Sequence, residues 1–511
     1  VTIDLLLSSS YYLAVTTLII GMNTNSTRVR FAPSPTGYLH IGGARTALYN
    51  YLFARKNGGS MVLRIEDTDR NRYVEGAVEQ LIKDLQWLGI NWDEGPDIGG
   101  NHSPYTQSER VKIHRSHAER LVNISKAYYC FCNKDRLKTI RSKHSGYDGH
   151  CRDIDTNTAL QRVASGEEHT IRFRSPNRGT TTVNDLIRKN ITVQNEQLED
   201  FILFKADGFP VYHLAAMVDD HMMGITHVIR GEEWLSSLAK HALIIRAFGW
   251  TEPVWCHLSV LKQPGGKGKM SKRDTKTEEG SDSHSIFVRD LRNRGFHPEA
   301  IINWMALMGW SLDDKQEDFK LVDLEKVFSL ERINPSPAAV NFGKLDHFQG
   351  KYVRQMSESE VAASIRPFLL KSGIDPDNTM LSKLVPLIKN RIVTFEDAVE
   401  WLGFFFKEEI IIAPSDLIDK NATSEDTLSI LKQVKLTLEQ LPLFDHENIE
   451  SVMRLLAKTL DLKLGQLLNP VRLAVSGQKV SPPLFETIEI LGFDLVLDRI
   501  QDAIKLLEDT N

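Results

Sequence analysis

Two short segments of this chain combine residue types that handle phosphate. In Pro33-Ser-Pro-Thr-Gly-Tyr-Leu-His-Ile-Gly-Gly43, His40, Gly42 and Gly43 open a helix-periodic stretch directly after a short strand-like run. A helix start leaves backbone N–H groups without intrahelical partners, and the helix dipole favours negative charge there, so small residues at that point let a phosphate approach. In Lys269-Met-Ser-Lys-Arg273, the cations Lys269, Lys272 and Arg273, with Lys267 just upstream, surround Ser271 on a glycine-flanked arm. Cationic donors aimed at a polyphosphate can each supply roughly 3 kcal/mol as charge builds in a transition state. Taken singly, the first segment could be a glycine turn and the second a solvated basic loop. Their occurrence together, in this order, points to chemistry on a nucleoside triphosphate.

The elements that must position these segments alternate. Residues 28–32 read as a strand, 33–38 as a turn and 41–55 as a helix; 61–65 read as a second strand ending in Glu66-Asp-Thr-Asp69, followed by a helix over about 74–88. Such alternation predicts a parallel α/β sheet. From about 107 to 209 the pattern changes to charged helical and short strand segments, which reads as an insertion. The alternation resumes with 212–218, 227–230 and a helix over 236–248. Residues 261–282 are rich in Gly, Lys and Ser and read as a loop. After Pro298, and throughout 357–511, apolar residues recur three and four apart, predicting an all-α C-terminal third.

At 511 residues the chain exceeds what one core organises, so several domains are expected. A net charge of -5 excludes a uniformly basic nucleic-acid binder but leaves room for a local basic groove. Four cysteines are too few for a disulfide scaffold and fit a reducing compartment. The apolar run 11–20 is too short to span a bilayer, and the first 27 residues hold no Lys or Arg, unlike a transit peptide. The expectation is a dispensable extension over 1–26, with the working protein beginning at Met22, and no membrane association.

The two loops resemble the paired signatures of the class I aminoacyl-tRNA synthetases. Within them, Arg30-Phe-Ala-Pro-Ser-Pro-Thr-Gly37, Leu63-Arg-Ile-Glu-Asp-Thr-Asp69, Trp92-Asp-Glu-Gly-Pro96, Tyr147-Asp-Gly149, Val218-Asp-Asp220 and Val228-Ile-Arg-Gly-Glu232 are similar to the bacterial-type glutamyl-tRNA synthetases. The resemblance implies a Rossmann-like parallel-sheet catalytic domain in two halves, 27–107 and 213–258. It further implies an α+β acceptor-stem-binding insertion at 108–212, a stem-contact region carrying the second loop at 259–347, and an α-helical anticodon-binding domain at 348–511. It implies a monomer in the cytoplasm that uses ATP with Mg²⁺, L-glutamate and tRNA(Glu).

Residue by residue, it implies glutamate binding by Arg30, Ala32, Ser34, Glu66, the run Tyr212, His213, Leu214, Ala215 and Ala216, and Arg230. Arginines at strand ends can fork onto a carboxylate, and a glutamate side chain can accept from an α-ammonium group. ATP would meet His40, Gly42, Gly43, Glu233, Leu261 and Lys272, with His40, Lys269, Ser271, Lys272 and Arg273 serving the reaction. Arg391 would read an anticodon base through a guanidinium fork. Two departures stand out: Gly43 replaces the second histidine of many class I enzymes, and Ala216 replaces an asparagine common among glutamyl enzymes.

Glutaminyl-tRNA synthetases share the catalytic fold but typically end in β-barrels, whereas 348–511 read as helices. A non-catalytic tRNA-binding paralogue would be free to lose the loops, and both are present. Cys130, Cys132 and Cys151 resemble the zinc site of some family members. With His150 or Asp153 they could complete a tetrahedron, or they could be plain buried thiols; the sequence leaves both open, and no metal ligand is assigned from it.

Overall fold

The structure, a computed structural model, describes residues 26–141, 146–263, 285–313, 315–419 and 422–509. The terminal extension and Lys267, Lys269, Ser271, Lys272 and Arg273 lie outside the described residues. The chain divides into two compact units, one formed by Val1–Leu291 with Ile301–Phe342 and the other by Arg292–Ala300 with Gly343–Asn511.

In the first unit, β1 (Arg28–Phe31) and β2 (Ser60–Leu63) pair in parallel, linked by the helix Ile41–Lys56. Val29, Met61, Val62 and Leu63 are fully buried, the pattern of a sheet covered on both faces. β3 (Ala127–Cys130) and β4 (Thr170–Phe173) run antiparallel, and β5 (Thr180–Asp185) with β6 (Lys189–Gln194) forms a hairpin. β7 (Ile202–Phe204) closes the β3-β4-β7 sheet. β8 (His227–Gly231) and β9 (Val254–Leu258) are parallel over five residues, from His227↔Val254 to Gly231↔Leu258.

β1 lies beside β8 through Thr226, whose backbone N–H donates to the Arg28 carbonyl at 2.9 Å and whose hydroxyl accepts from the Arg28 N–H at 2.8 Å. The C-terminal ends of β1, β2 and β8 therefore open on one side, where ligands bind in sheets of this kind.

One boundary differs from the sequence expectation. The β5–β6 hairpin falls within the expected insertion, yet β5 joins β9 in parallel at Asp185↔Trp255, giving the order β6-β5-β9-β8. The insertion thus contributes an edge to the sheet as well as its own three strands. The helix Tyr212–Met222 follows, with Leu214 through Asp220 all buried.

The second unit is helical, with no strand among the described residues. Its helices start where side chains cap them: Ser357 with Glu360 and Thr423 with Asp426 form capping boxes, and Asp377 and Asp445 accept from the backbone two or three residues on. Two apolar cores fill it, one around Ile365, Leu384 and Ile388 and another around Leu431, Val471 and Ile500.

Candidate active site

At the open end of β1, β2 and β8 lies a cavity of about 390 Å³. Of the residues expected from sequence, Arg30, Ala32, Ser34, His40, Gly42, Gly43, Glu66, Tyr212, Arg230, Glu233 and Leu261 line it. Four do not. Leu214, Ala215 and Ala216 are packed into the interior behind Tyr212, and His213 faces a second, smaller cavity together with Tyr147, Arg172 and Lys240. Arg391 belongs to the other unit, exposed just beyond the helix Asn378–Ile388 with its guanidinium 5.6 Å from the Trp401 ring. Leu261 and Ile286, on either side of the second loop, both line the cavity.

The first loop differs in detail from its sequence reading. His40 is the N-cap of Ile41–Lys56, and its Nδ1 accepts from the Gly42 and Gly43 N–H groups at 3.1 and 3.2 Å. The Ile41 N–H donates to the Ile286 carbonyl at 2.9 Å. The first N–H groups are therefore engaged by the protein and are not left open for phosphate. An Nδ1 that accepts two N–H bonds carries no proton, which puts the ring proton on Nε2, a donor suited to a phosphate oxygen. A Cβ at position 42 would stand 3.0 Å from His40 Cε1, so a larger residue there would push on the capping imidazole.

Three arginines end the strands, and their partners differ. Arg64 donates to Asp220 at 2.7 Å and to Glu66 at 2.9 Å, and Arg30 donates to Asp220 at 3.1 Å. Burial pushes the Glu66 carboxyl up, against the pull of Arg64. Arg230 is 5% exposed and, among the described residues, has no carboxylate within ion-pair distance. Its Nε donates to His257 Nε2 at 3.0 Å, and its Nη1 to His241 Nδ1 at 3.0 Å and the Tyr212 hydroxyl at 3.3 Å, while Nη2 has no partner. Burial holds its pKa below the usual arginine range. Arg45, also buried at the cavity, spends both terminal nitrogens on the Met308 and Ser259 carbonyls.

A buried guanidinium facing a cavity with an unfilled donor is a receptor for an anion. Glu66 and Arg30, across the same cavity, offer an acceptor for an ammonium group and a second cation.

Sequence reasoning missed Trp234, whose ring lies 4.2 Å from Tyr212 across the cavity wall, and the supports of Arg230. Trp234 was within reach, two residues beyond the Val228–Glu232 block. His257 carried a weaker signal, an imidazole in the apolar run Val254–Leu258 that needed a polar partner.

The three cysteines also come together. Cys132 Sγ lies 3.6 Å from Cys151 Sγ, and all three sulfurs lie within 4.8 Å of one another. Neither residue that could have completed a tetrahedron is brought in: Asp153 is 91% exposed and paired with Arg174, and His150 is exposed. The Tyr147 hydroxyl lies beside the cluster instead, 3.3 Å from Cys130 Sγ and 3.6 Å from Cys132 Sγ.

Comparison with known proteins agrees with this architecture. Residues 26–347 match the family described as tRNA synthetases class I (E and Q), catalytic domain, and residues 360–504 match an anticodon binding domain. The glutamate–tRNA ligase of Dehalococcoides mccartyi is 43% identical over 499 residues, covering 95% of this chain and 99% of its own. That of Borrelia recurrentis is 43% identical over 489 residues, covering 93% and 95%. The crystal structure of a glutamate tRNA ligase from Elizabethkingia meningosepticum, in complex with its amino acid, superimposes with a TM-score of 0.84 at 34% identity, covering 94% of this chain and all of that one. A solved glutamate-tRNA synthetase from Elizabethkingia anophelis gives 0.82 at 33%. With a matched catalytic domain and near full-length relatives, the chain belongs to the glutamate–tRNA ligase family of class I aminoacyl-tRNA synthetases.

Proposed function

We propose that the cavity activates L-glutamate with ATP and that the chain transfers it to the 3′ end of tRNA(Glu). The observation that carries this is the buried Arg230 with its unfilled Nη2, which a side-chain carboxylate would complete. Glu66 would hold the α-ammonium group, and Arg30 and Tyr212 would fix the rest. In the first step an α-carboxylate oxygen attacks the α-phosphorus, the bond to the β-phosphate breaks, and pyrophosphate leaves with Mg²⁺ as part of the substrate complex. In the second, a terminal ribose hydroxyl attacks the acyl carbon, loses its proton, and AMP leaves. Both steps rest on positioning and charge stabilisation, with His40, Lys269, Ser271, Lys272 and Arg273 on the phosphates and Gly42, Gly43, Glu233 and Leu261 around the nucleotide.

The acceptor end would lie along residues 108–212, and Arg391 would read the anticodon. We place the chain in the cytoplasm as a monomer; among the described residues no helix is long and apolar enough to cross a membrane.

ATP–pyrophosphate exchange with tRNA present tests the reading. Glutamate should support exchange and glutamine should not; the reverse result, or silence with both, would sink it. Lys272→Ala should slow exchange on the order of a hundredfold at an unchanged melting temperature. An unchanged rate would remove Lys272 from the mechanism.

The cysteine cluster suits a structural zinc ion. Ligands at about 2.3 Å in a tetrahedron stand about 3.8 Å apart, close to the spacing of Cys132 and Cys151. Cys130, Cys132 and Cys151 would supply three of its ligands, tying β3 to the segment around Cys151. Elemental analysis of the purified chain should find one zinc per molecule, lost in Cys151→Ser along with thermal stability. Metal-free protein of unchanged stability would leave the cluster as packed thiols.

A further inference from the structure

Arginine nitrogens only donate, so whatever bonds to Arg230 must offer a lone pair. At His257 that lone pair is on Nε2. The ring's other nitrogen, Nδ1, carries the proton and donates to Asp185 at 2.7 Å. Asp185 is itself fixed by the backbone N–H groups of Ile187 and Arg188 at 3.0 and 2.8 Å, in the turn of the β5–β6 hairpin. At His241 the lone pair facing Arg230 is on Nδ1, and Nε2 donates to His213 Nδ1 at 3.0 Å. Both imidazoles are fully buried, and burial holds the pKa of each below the usual histidine range. The two rings are thus neutral, each in one tautomer, and each supplies Arg230 with direction without cancelling its charge.

This arrangement differs from that of Arg64, just after β2, whose charge is spent on Asp220 and Glu66. It also leaves His241 and His257 with no spare acceptor beside Arg230. Arg230 Nη2 is unfilled, and the Tyr212 oxygen already accepts from Nη1, so its hydroxyl hydrogen remains to donate. The lone pairs of His241 and His257 are consumed by Arg230. A carboxylate can accept from every group there. A carboxamide brings an NH₂ that finds no acceptor among these groups, and a polar group left unpaired in a buried site is strongly rejected.

We propose that His241 and His257 are positioning residues that make the cavity select a carboxylate over a carboxamide, by aiming Arg230 while leaving it charged and by withholding their own lone pairs from the ligand. The proposal rests on the glutamate-activating reading above, and it extends the specificity site to the β5–β6 hairpin through Asp185.

The test is exchange kinetics on the full chain with tRNA, comparing glutamate and glutamine. His241→Leu and His257→Leu should each raise the KM for glutamate on the order of tenfold, leave the KM for ATP unchanged, and narrow the glutamate-to-glutamine ratio of kcat/KM by a similar factor. Replacements that restore the acceptor at the right ring position should recover most of both: His257→Gln places an oxygen near Nε2, and His241→Asn places one near Nδ1. Should the leucine variants not fold, His257→Gln and His257→Asn give the same contrast, the first keeping selectivity and the second losing it. Equal losses of kcat in every variant, with glutamate KM and selectivity unmoved, would overturn the proposal and leave the histidines as packing. A parent chain without glutamate-dependent exchange would overturn the glutamate-activating reading and this inference together.

Discussion

Arg230→Leu is expected to lower kcat/KM for glutamate about a thousandfold at a nearly unchanged melting temperature. The first half follows from what the substituted site would have to bury. A side-chain carboxylate entering the cavity would lose water and meet Tyr212 with no cation beside it, and breaking one partner from a buried charge pair costs about 3–5 kcal/mol. Taking about 4 kcal/mol gives the thousandfold figure. The second half follows from the unliganded protein. Arg230 is buried against neutral imidazoles and the Trp255 ring, 5.3 Å away, and its pKa is depressed because burial penalises its charge. Leucine removes that penalty but leaves the His241 and His257 lone pairs unfilled, two opposing effects on stability. A buried charged residue whose removal costs the fold little is one held in place for binding. Exchange kinetics and a melting curve on the same sample check both halves. A large loss of melting temperature would instead make Arg230 a structural residue, and an unchanged glutamate KM would place the carboxylate elsewhere.

The strands that carry the site were legible because each is a short apolar run ended by turn residues, and β1, β2 and β8 fall within a few residues of their expected limits. Arg30, Glu66 and Arg230 were assigned from the family resemblance, and they line one cavity at those strand ends. The run Tyr212 to Ala216 was read as one lining block, but it begins a helix, and a helix cannot turn five successive residues to one side. Tyr212 reaches the cavity; Leu214 and Ala215 point into the interior, and Ala216, one turn on, is covered. The hairpin β5–β6 was not legible as sheet. Its threonines and asparagines have the composition of a loop, and its alternation of exposed and buried residues is confined to one strand. Its use, backing His257 through Asp185, spans 72 residues of sequence and leaves no local signal.

The first loop was legible as a motif and misleading as a mechanism. Glycines after a histidine at a helix start suggest open N–H groups, yet the histidine itself occupies two of them. The imidazole is thereby oriented by the helix it caps. The ring's other nitrogen, Nε2, then carries the proton.

Asp219→Ala is expected to be the most damaging single change to the fold of the first unit, although Asp219 does not line the cavity. Asp219 and Asp220 are neighbours on a helix and so point roughly a quarter-turn apart. Asp220 faces Arg30 and Arg64 at the strand ends. Asp219 faces Gln107 at 2.9 Å, Arg110 at 2.7 Å and His114 at 2.9 Å, tying the strand-end helix to the start of the inserted segment. Alanine would leave those buried groups without their acceptor, a loss of about 4 kcal/mol, or about 6 °C in melting temperature for a unit of this size. The pH dependence carries a sharper signature. Burial alone would raise the Asp219 pKa, but His114, Arg64 and Arg110 outweigh it and hold the carboxyl at about 2. A carboxyl depressed in the folded state stabilises the fold above its unfolded pKa and ceases to do so as pH falls through the folded value. The stability difference between the parent and Asp219→Asn, measured by chemical denaturation, should therefore be constant above about pH 4 and shrink by about 2 kcal/mol towards pH 2. A difference that stays flat across that range would mean Asp219 holds Arg110 and His114 by shape and hydrogen bonding alone, with its charge contributing nothing.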